Sequence, residues 1–414
     1  GTLTILSATQ GVTNNGLVLG ELTGVLNPLA ELALLFPNAT DVALGFQLKA
    51  DAGNFNRNQT NLLDHINAVN AAGAGSVGPV ITALFDLGSE QETAAALDQL
   101  SPEVYLNAQT AMLYSAENFT NDLFSCQVSG QDYAVIREGD CFWMRPQGRF
   151  LTRDSTAEAI GFQEQGGGVS VGGQTAVAEN WHAGVALGYE RSFLDTATGA
   201  ESDSRRFHAG GIVKYRNGPV LVAGAVTGGI GHYETTRQIG FGGVNAASTS
   251  DHDIAYVSTQ FRAAYLMEHG AFYAKPFVDL GLTYLDRDGV NETGDPATDL
   301  VVQGGNDTIF SATPALELGG EHALTETQVM RAYVRAGVTF YTDSEHALTA
   351  GFAGAPADVP DFQITSRFDD TVADIEAGLT LLDGGAAVLQ LGYQGHIAAK
   401  TEQHGGFIKG SVRF

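Results

Sequence analysis

The sequence predicts an all-β fold: a twelve-stranded antiparallel transmembrane β-barrel with an α-helix in its lumen, preceded by a short β-helix-like and helical segment. Three observations lead there. The last two-thirds of the chain is a succession of strand-length stretches that alternate apolar and polar residues with a period of two. The composition, with 52 glycines in 414 residues, 44% apolar and only 16% charged, suits a wall that faces lipid without any continuous apolar block. A single long helical pattern stands directly before the strands. No stretch approaches the roughly 18 uncharged apolar residues of a spanning helix. The 47 acidic against 21 basic residues, a net charge of -26, exclude a duplex nucleic-acid binder, which needs a basic face, and a polybasic anchor on anionic lipid.

Charge marks the main boundary. Residues 1–138 hold 3 Lys and Arg (Lys49, Arg57 and Arg137) and 14 Asp and Glu, whereas residues 139–414 hold 18 and 33. The charge break places the barrel at 139–414; ahead of it are expected a short-stranded segment at 1–57, a short helical junction at 58–100, and the luminal helix and a loop at 101–138. In the first part, residues 2–6, 16–19 and 42–49 read as strands between Gly and Asn turns. Residues 60–98 read as two short helices around an Ala/Gly loop at 71–78. The chain begins at Gly1 and not Met, so a targeting segment is expected outside it.

The helix is predicted from 102 to about 125. Ser101, Pro102 and Glu103 supply a hydroxyl N-cap, a first-turn proline and an acid at the positive end. At 1.5 Å per residue it measures about 36 Å, just beyond the roughly 30 Å of hydrocarbon. It can thus thread the lumen without touching lipid, with Ala108, Met112, Ala116 and Phe119 on its surface. Its acids Glu103, Glu117 and Asp122 are expected to meet lumen-facing arginines.

Twelve strands follow, at 141–153, 159–177, 180–194, 203–215, 219–233, 252–268, 271–286, 308–324, 327–342, 362–382, 386–399 and 404–414. Short links (217–218, 268–270, 383–385) alternate with long polar ones (195–202, 238–251, 288–307, 343–361), as a meander with two unequal rims requires. In the seventh strand Phe272, Ala274, Pro276, Val278, Leu280 and Leu282 oppose Tyr273, Lys275, Phe277, Asp279, Gly281 and Thr283. A soluble sandwich alternates too, but here aromatics (Trp181 and Tyr189, Phe272 and Tyr284) end the apolar faces, as a membrane girdle demands. The polar faces aim Arg145, Arg149, Arg206, Arg262, Arg331, Arg335, Glu190, Asp279 and Glu317 into the lumen.

Cys126 and Cys141 read as a disulfide formed in an oxidising compartment such as the periplasm, the alternative being two unpaired thiols. Gly168 to Gly172 matches the Gly-x-Ser-x-Gly elbow in form, but it lies in an alternating strand and not in a strand–turn–helix; its glycines are expected to leave room for the helix. The histidines lack metal-ligand spacing. No catalytic residue, cofactor or metal is expected, and the chain is read as no enzyme.

Residues 93–125, opening Thr93-Ala94-Ala95-Ala96-Leu97-Asp98-Gln99-Leu100-Ser101-Pro102-Glu103-Val104-Tyr105, resemble the linker of autotransporters (type Va secretion). Asn58-Gln59-Thr60, within 54–70, is similar to the asparagine–glutamine segment often found just upstream of that linker. The C-terminal residue Phe414, with Ile408 and Val412 on its face, resembles the signal that outer-membrane barrels present to the barrel-assembly machinery. The resemblance implies a translocator in the bacterial outer membrane that exports and anchors its own N-terminal passenger at the cell surface, the N-terminal region lying outside and residues 1–57 forming the β-helix-like C-terminal end of that passenger. It implies outer-membrane lipids, the assembly machinery and periplasmic chaperones as partners, with no nucleic acid; the passenger's target is not readable. Alternatives are a diffusive outer-membrane pore and a self-cleaving autotransporter. Asn118 and Asn121 lie in the helix, but the Asn-Asn pair of the self-cleaving subgroup is missing from it.

Overall fold

The computed structural model describes residues 2–16, 18–19, 27–49, 55–126, 138–325, 328–383 and 387–412. Twelve long strands close into one antiparallel ring: β4 (Cys141–Arg153), β5 (Phe162–Ala178), β6 (Trp181–Thr196), β7 (Glu201–Asn217), β8 (Val220–Phe241), β9 (Val244–Tyr265), β11 (Phe272–Arg287), β14 (Gly305–Ala323), β15 (Gln328–Tyr341), β18 (Thr371–Asp383), β19 (Ala387–Ile397) and β20 (Thr401–Val412). The short β10 (Met267–His269) continues β9 alongside β11. The last strand pairs with the first, Gly405 opposite Arg149, and leaves the ring no open edge. Successive side chains point to opposite faces. On β15 Ala332, Val334 and Phe340 are exposed outward while Arg331, Tyr333 and Thr339 are buried inward.

The two rims differ. At the lower rim β7 and β8 meet through a tight turn in which Gly218 has φ +56°, and β11 follows a turn with Gly270 at φ +59°. The third expected short link, 383–385, falls mostly outside the described residues. At the upper rim the long connections are structured. The stretch 238–251, expected as a polar loop, is instead the top of a hairpin: β8 and β9 stay paired up to Phe241 opposite Val244, with Gly242 and Gly243 turning at φ +53° and +89°. The segment expected as one strand at 362–382 is two, β17 (Phe362–Arg367) and β18. With β12 (Val290–Asn291), β13 (Leu300–Val302) and β16 (Glu345–Phe352), β17 forms a separate four-stranded antiparallel sheet above the ring.

The N-terminal part packs over this rim. β1 (Thr2–Ser7), β2 (Ala30–Leu35) and β3 (Asp41–Leu48) form a sheet in the order β1-β3-β2, and both pairings are antiparallel. The β-helix-like reading of 1–57 is corrected on this point, because a β-helix stacks its rungs in parallel. Gly16, Val18 and Leu19 are not in a strand; Leu17 lies outside the described residues. Three α-helices, not two, occupy the junction: α1 (Arg57–Ala71), α2 (Gly78–Phe85), preceded by a 3-10 turn at Gly75–Val77, and α3 (Glu90–Leu100). Asn56 and Gln59 close a capping box at the start of α1. The Asn58 side chain then pairs with the backbone of Thr365, donating to its carbonyl at 2.7 Å and accepting from its amide at 3.0 Å. Asn61 donates to the Gln363 carbonyl at 2.8 Å. Helix side chains thus satisfy the free edge of β17. One apolar core joins Leu62 and Ile66 of α1, Leu84 of α2 and Leu97 of α3 with Ile239, Leu300, Phe352 and Ile364 of the rim.

Candidate functional site

The candidate site is the lumen. α4 (Glu103–Leu123) has 21 residues and so runs about 32 Å. All of its side chains are buried except Glu117 and Asn121, which are partly open. A helix of such mixed polarity, covered on every side, needs polar partners all round, and the inward wall supplies them. From top to bottom, Tyr105 donates to Glu292 at 2.6 Å, Gln109 donates to Asp307, Ser115 donates to Glu190 at 3.2 Å and Tyr341 donates to Glu117 at 2.8 Å. Thr120 and Thr227 share a hydrogen bond of 2.7 Å, and Ser170 donates to Asp122 at 2.5 Å. Ala108, Met112 and Ala116 pack among Tyr233, Ile254, Tyr256 and Ile309. Phe119 stacks on His208 with ring centroids 5.1 Å apart.

Both helix ends fit the macrodipole. Glu103 sits in the first turn, accepting from the Ile160 amide at 2.7 Å and from Asn58 at 2.9 Å. The last turn has no basic residue of its own. The wall provides two: Lys214 of β7 reaches the Phe124 and Cys126 carbonyls at 3.4 and 3.3 Å, and Lys409 of β20 reaches the Ser125 carbonyl. Just below, Cys126 and Cys141 are joined as a disulfide that ties the foot of the helix to the first barrel strand.

Two sequence expectations about this helix are corrected. Ser101 is not its hydroxyl cap: Pro102 holds the cap position without a side-chain bond, and Ser101 donates to the Glu103 carboxylate at 3.4 Å. Among the described residues, Asp122 alone of the three helix acids meets an arginine, Arg145 at 2.5 Å. Glu103 and Glu117 take neutral donors instead, while most of the wall arginines are engaged with wall acids and Arg153 and Arg287 bond neutral groups. Arg149 and Arg206 share Glu164 and Glu190 at 2.8 Å or less. Arg262 holds Asp279 at 2.6 Å, Arg331 holds Glu321 at 2.7 Å, and Lys275 and Arg335 flank Glu317 at 2.9 and 3.6 Å. Buried charges demand such pairing, since an isolated one is strongly destabilising.

Glu164, Ser170, Lys214 and Lys409 were missed as site residues. Their signal was in the alternation: Glu164 and Ser170 share the inward face of β5, and Lys214 shares that of β7 with Arg206. The role of the glycines also moves. A Cβ at Gly166, Gly168 or Gly172 would meet wall atoms, not the helix. The glycine that admits α4 is Gly188, where a Cβ would lie 2.9 Å from the Phe119 ring; at Gly210 a Cβ would meet Thr227 of the wall at 2.6 Å before Leu123 at 3.3 Å.

The helix does not fill the ring. On the side of Glu117, Asn118 and Asn121 a polar cavity of about 140 Å³ remains, bounded by Arg262, Asp279, Arg335, Glu376 and His396 among others. That space takes several waters. Among the described residues no group of three or more His, Cys, Asp or Glu is placed to hold a metal. The outward face of β20 presents Ile408 and Val412, half exposed; Phe414 lies outside the described residues.

A family model described as the autotransporter beta-domain matches residues 142–394. The esterase EstA of Pseudomonas aeruginosa is 29% identical over 159 residues, 37% of this chain and 24% of EstA. An extracellular serine protease of Serratia marcescens is 20% identical over 223 residues, 53% of this chain and 21% of the protease. The chain therefore spans about a quarter of the length of these curated relatives. Among solved structures, the translocator domain of the autotransporter NalP from Neisseria meningitidis superposes with a TM-score of 0.59 at 14% identity, covering 76% of this chain and all of that one.

Proposed function

Because the chain belongs to the autotransporter family through its β-domain, we propose that α4 is the stretch that comes to rest in the lumen after the polypeptide ahead of it has passed through. The barrel is the outer-membrane translocator and the exported passenger lies N-terminal to α4. The observation that carries this reading is the burial of α4 along its whole length inside a closed ring, with its first residue at the rim that carries the N-terminal sheet and helices. The upper rim then faces the cell exterior and the short turns face the periplasm. The oxidising periplasm is where Cys126 and Cys141 join, once the helix foot has reached the base of β4. Ile408, Val412 and Phe414 are the residues offered to the assembly machinery, with periplasmic chaperones guarding the chain before insertion.

Surface display tests the reading. Ala108 and Ala116 are fully buried between helix and wall. With an epitope placed ahead of Thr2 on intact cells, Ala108→Trp or Ala116→Trp should cut the externally cleavable epitope severalfold, since an indole cannot be housed there without displacing α4. Display at the level of the unmodified protein from both variants, or an epitope that stays protected in every case, would overturn it.

A further inference from the structure

One row on the outer wall breaks its apolar pattern. The register sets Arg191 opposite Arg205 and Arg205 opposite His232, side by side across β6, β7 and β8. One step lower on the same face are Tyr189, Phe207 and Ile230, with the first two rings 5.1 Å apart. One step higher are Phe193, Asp203, Glu234 and Asp251, and His232 pairs on its far side with Asp253 at 2.6 Å. Among the described residues of the barrel strands, Arg191 and Arg205 are the two arginines or lysines turned outward.

The environment of these two arginines is unusual for ordinary surface charge. Directly opposed like charges repel across a strand pair, and opposed Cα atoms lie only about 5 Å apart. Each guanidinium is steadied from above, Arg191 by Asp203 at 2.6 Å and Arg205 by Glu234 at 3.0 Å. Arg191 also lies over the Phe193 ring at 4.8 Å. Both side chains stay half open, at 50% and 53% exposure. Nη1 of Arg191, and Nε and Nη1 of Arg205, make no hydrogen bond to the described residues. The result is a pair of oriented guanidinium groups, each held by one carboxylate and keeping free N–H donors, one step above the Tyr189 and Phe207 rings on the lipid-facing wall. Guanidinium N–H groups match phosphate oxygens.

We propose that this face of β6–β8 binds a phosphorylated glycolipid of the outer leaflet, its headgroup phosphates on Arg191 and Arg205 and its acyl chains on the aromatic and aliphatic band below. Two guanidinium groups on neighbouring strands suit a headgroup that carries more than one phosphate. The assignment to the outer leaflet rests on the orientation given above. The binding itself does not, so a detergent measurement and the surface-cleavage assay fail independently.

The test uses the full chain in nonionic detergent with lipid A, an acylated disaccharide bearing two phosphates, and the same lipid after enzymatic dephosphorylation. Native mass spectrometry should show lipid A retained about tenfold better than its dephosphorylated form. The Arg191→Gln, Arg205→Gln double variant should lose that preference, and the double lysine variant should keep part of it. Heat-dependent gel migration checks that each variant is assembled, and the two-lipid comparison on the unmodified protein decides the matter if a variant is not. Equal retention of the two lipids by the unmodified protein, an unchanged preference in the assembled glutamine variant, or displacement of lipid A by inorganic phosphate alone would overturn the proposal.

Discussion

Arg206 shows what a residue in this lumen is for. It is fully buried, and its guanidinium bonds Glu164, Glu190 and the Tyr233 hydroxyl. Alternation was enough to aim it inward, because side chains on a strand can only point two ways. Alternation could not say which acid it meets, since that depends on how far neighbouring strands are staggered. Replacing Arg206 with Met leaves Glu164 and Glu190 sharing Arg149 alone. A loss of about 3–5 kcal/mol is expected from breaking such a buried network, read as an earlier heat midpoint for the shift between compact and unfolded gel bands; an unmoved midpoint would contradict it. His65 makes a different prediction, above the membrane. Its Nδ1 bonds the Pro360 carbonyl at 2.8 Å, and its ring lies 4.9 Å from that of Phe362. Burial holds it below its ordinary value of 6.5, against the pull of the Pro360 bond and Asp361. Its stabilising effect is therefore complete above pH 6.5 and lost as pH falls through the lowered value. Cleavage of α1 by an added protease should rise on acidification from pH 7.5 to 5 in the unmodified chain, and less in His65→Phe; identical pH profiles would refute this.

At the scale of elements, the sequence was most legible where lipid imposes an apolar face and least legible where nothing does. The strands that cross the lipid band were found within a few residues. The upper hairpin was not, because stretches such as Ala246-Ala247-Ser248-Thr249-Ser250 alternate only among small and polar residues once the strand has left the lipid. The split between β17 and β18 was hidden for the opposite reason: apolar residues keep alternating past Asp369 and Asp370 although the chain changes sheet. Period two is also blind to strand direction, so nothing in residues 2–49 could check the β-helix-like expectation that the family resemblance supplied against the antiparallel order found. The fit of α4 against the wall gives the prediction at this scale. Gly188→Leu puts side-chain atoms where Phe119 stacks on His208. Overpacking of this kind costs about 1–3 kcal/mol, so the variant should unfold earlier, and adding Phe119→Ala should restore part of the loss. If the second change makes matters worse, Gly188 is not there to admit the helix.

The whole molecule is one assembly with two solvents. Below the rim, apolar side chains face outward and charges face in. Above it, α1, α2 and α3 bury an ordinary apolar core together with Ile239, Leu300 and Phe352 from the barrel's own loops. α4 belongs to both: Val104 and Leu106 join the upper core, while Phe119 and Leu123 join a separate cluster with Trp143 near the base. That continuity was not readable in the sequence, where the helix stood out only by its length and its start, and the upper core depends on side chains more than two hundred residues apart. The same continuity fixes where α4 sits. The most direct test is a cross-link between helix and wall: Thr120 and Thr227 touch at 2.7 Å across the lumen, whereas Val226, one residue along β8, faces outward. In the assembled, compact form, mild oxidation should join Thr120→Cys to Thr227→Cys in most molecules and should not join Thr120→Cys to Val226→Cys. A compact barrel in which neither pair forms, or in which both form equally, would show that α4 does not lie inside the ring.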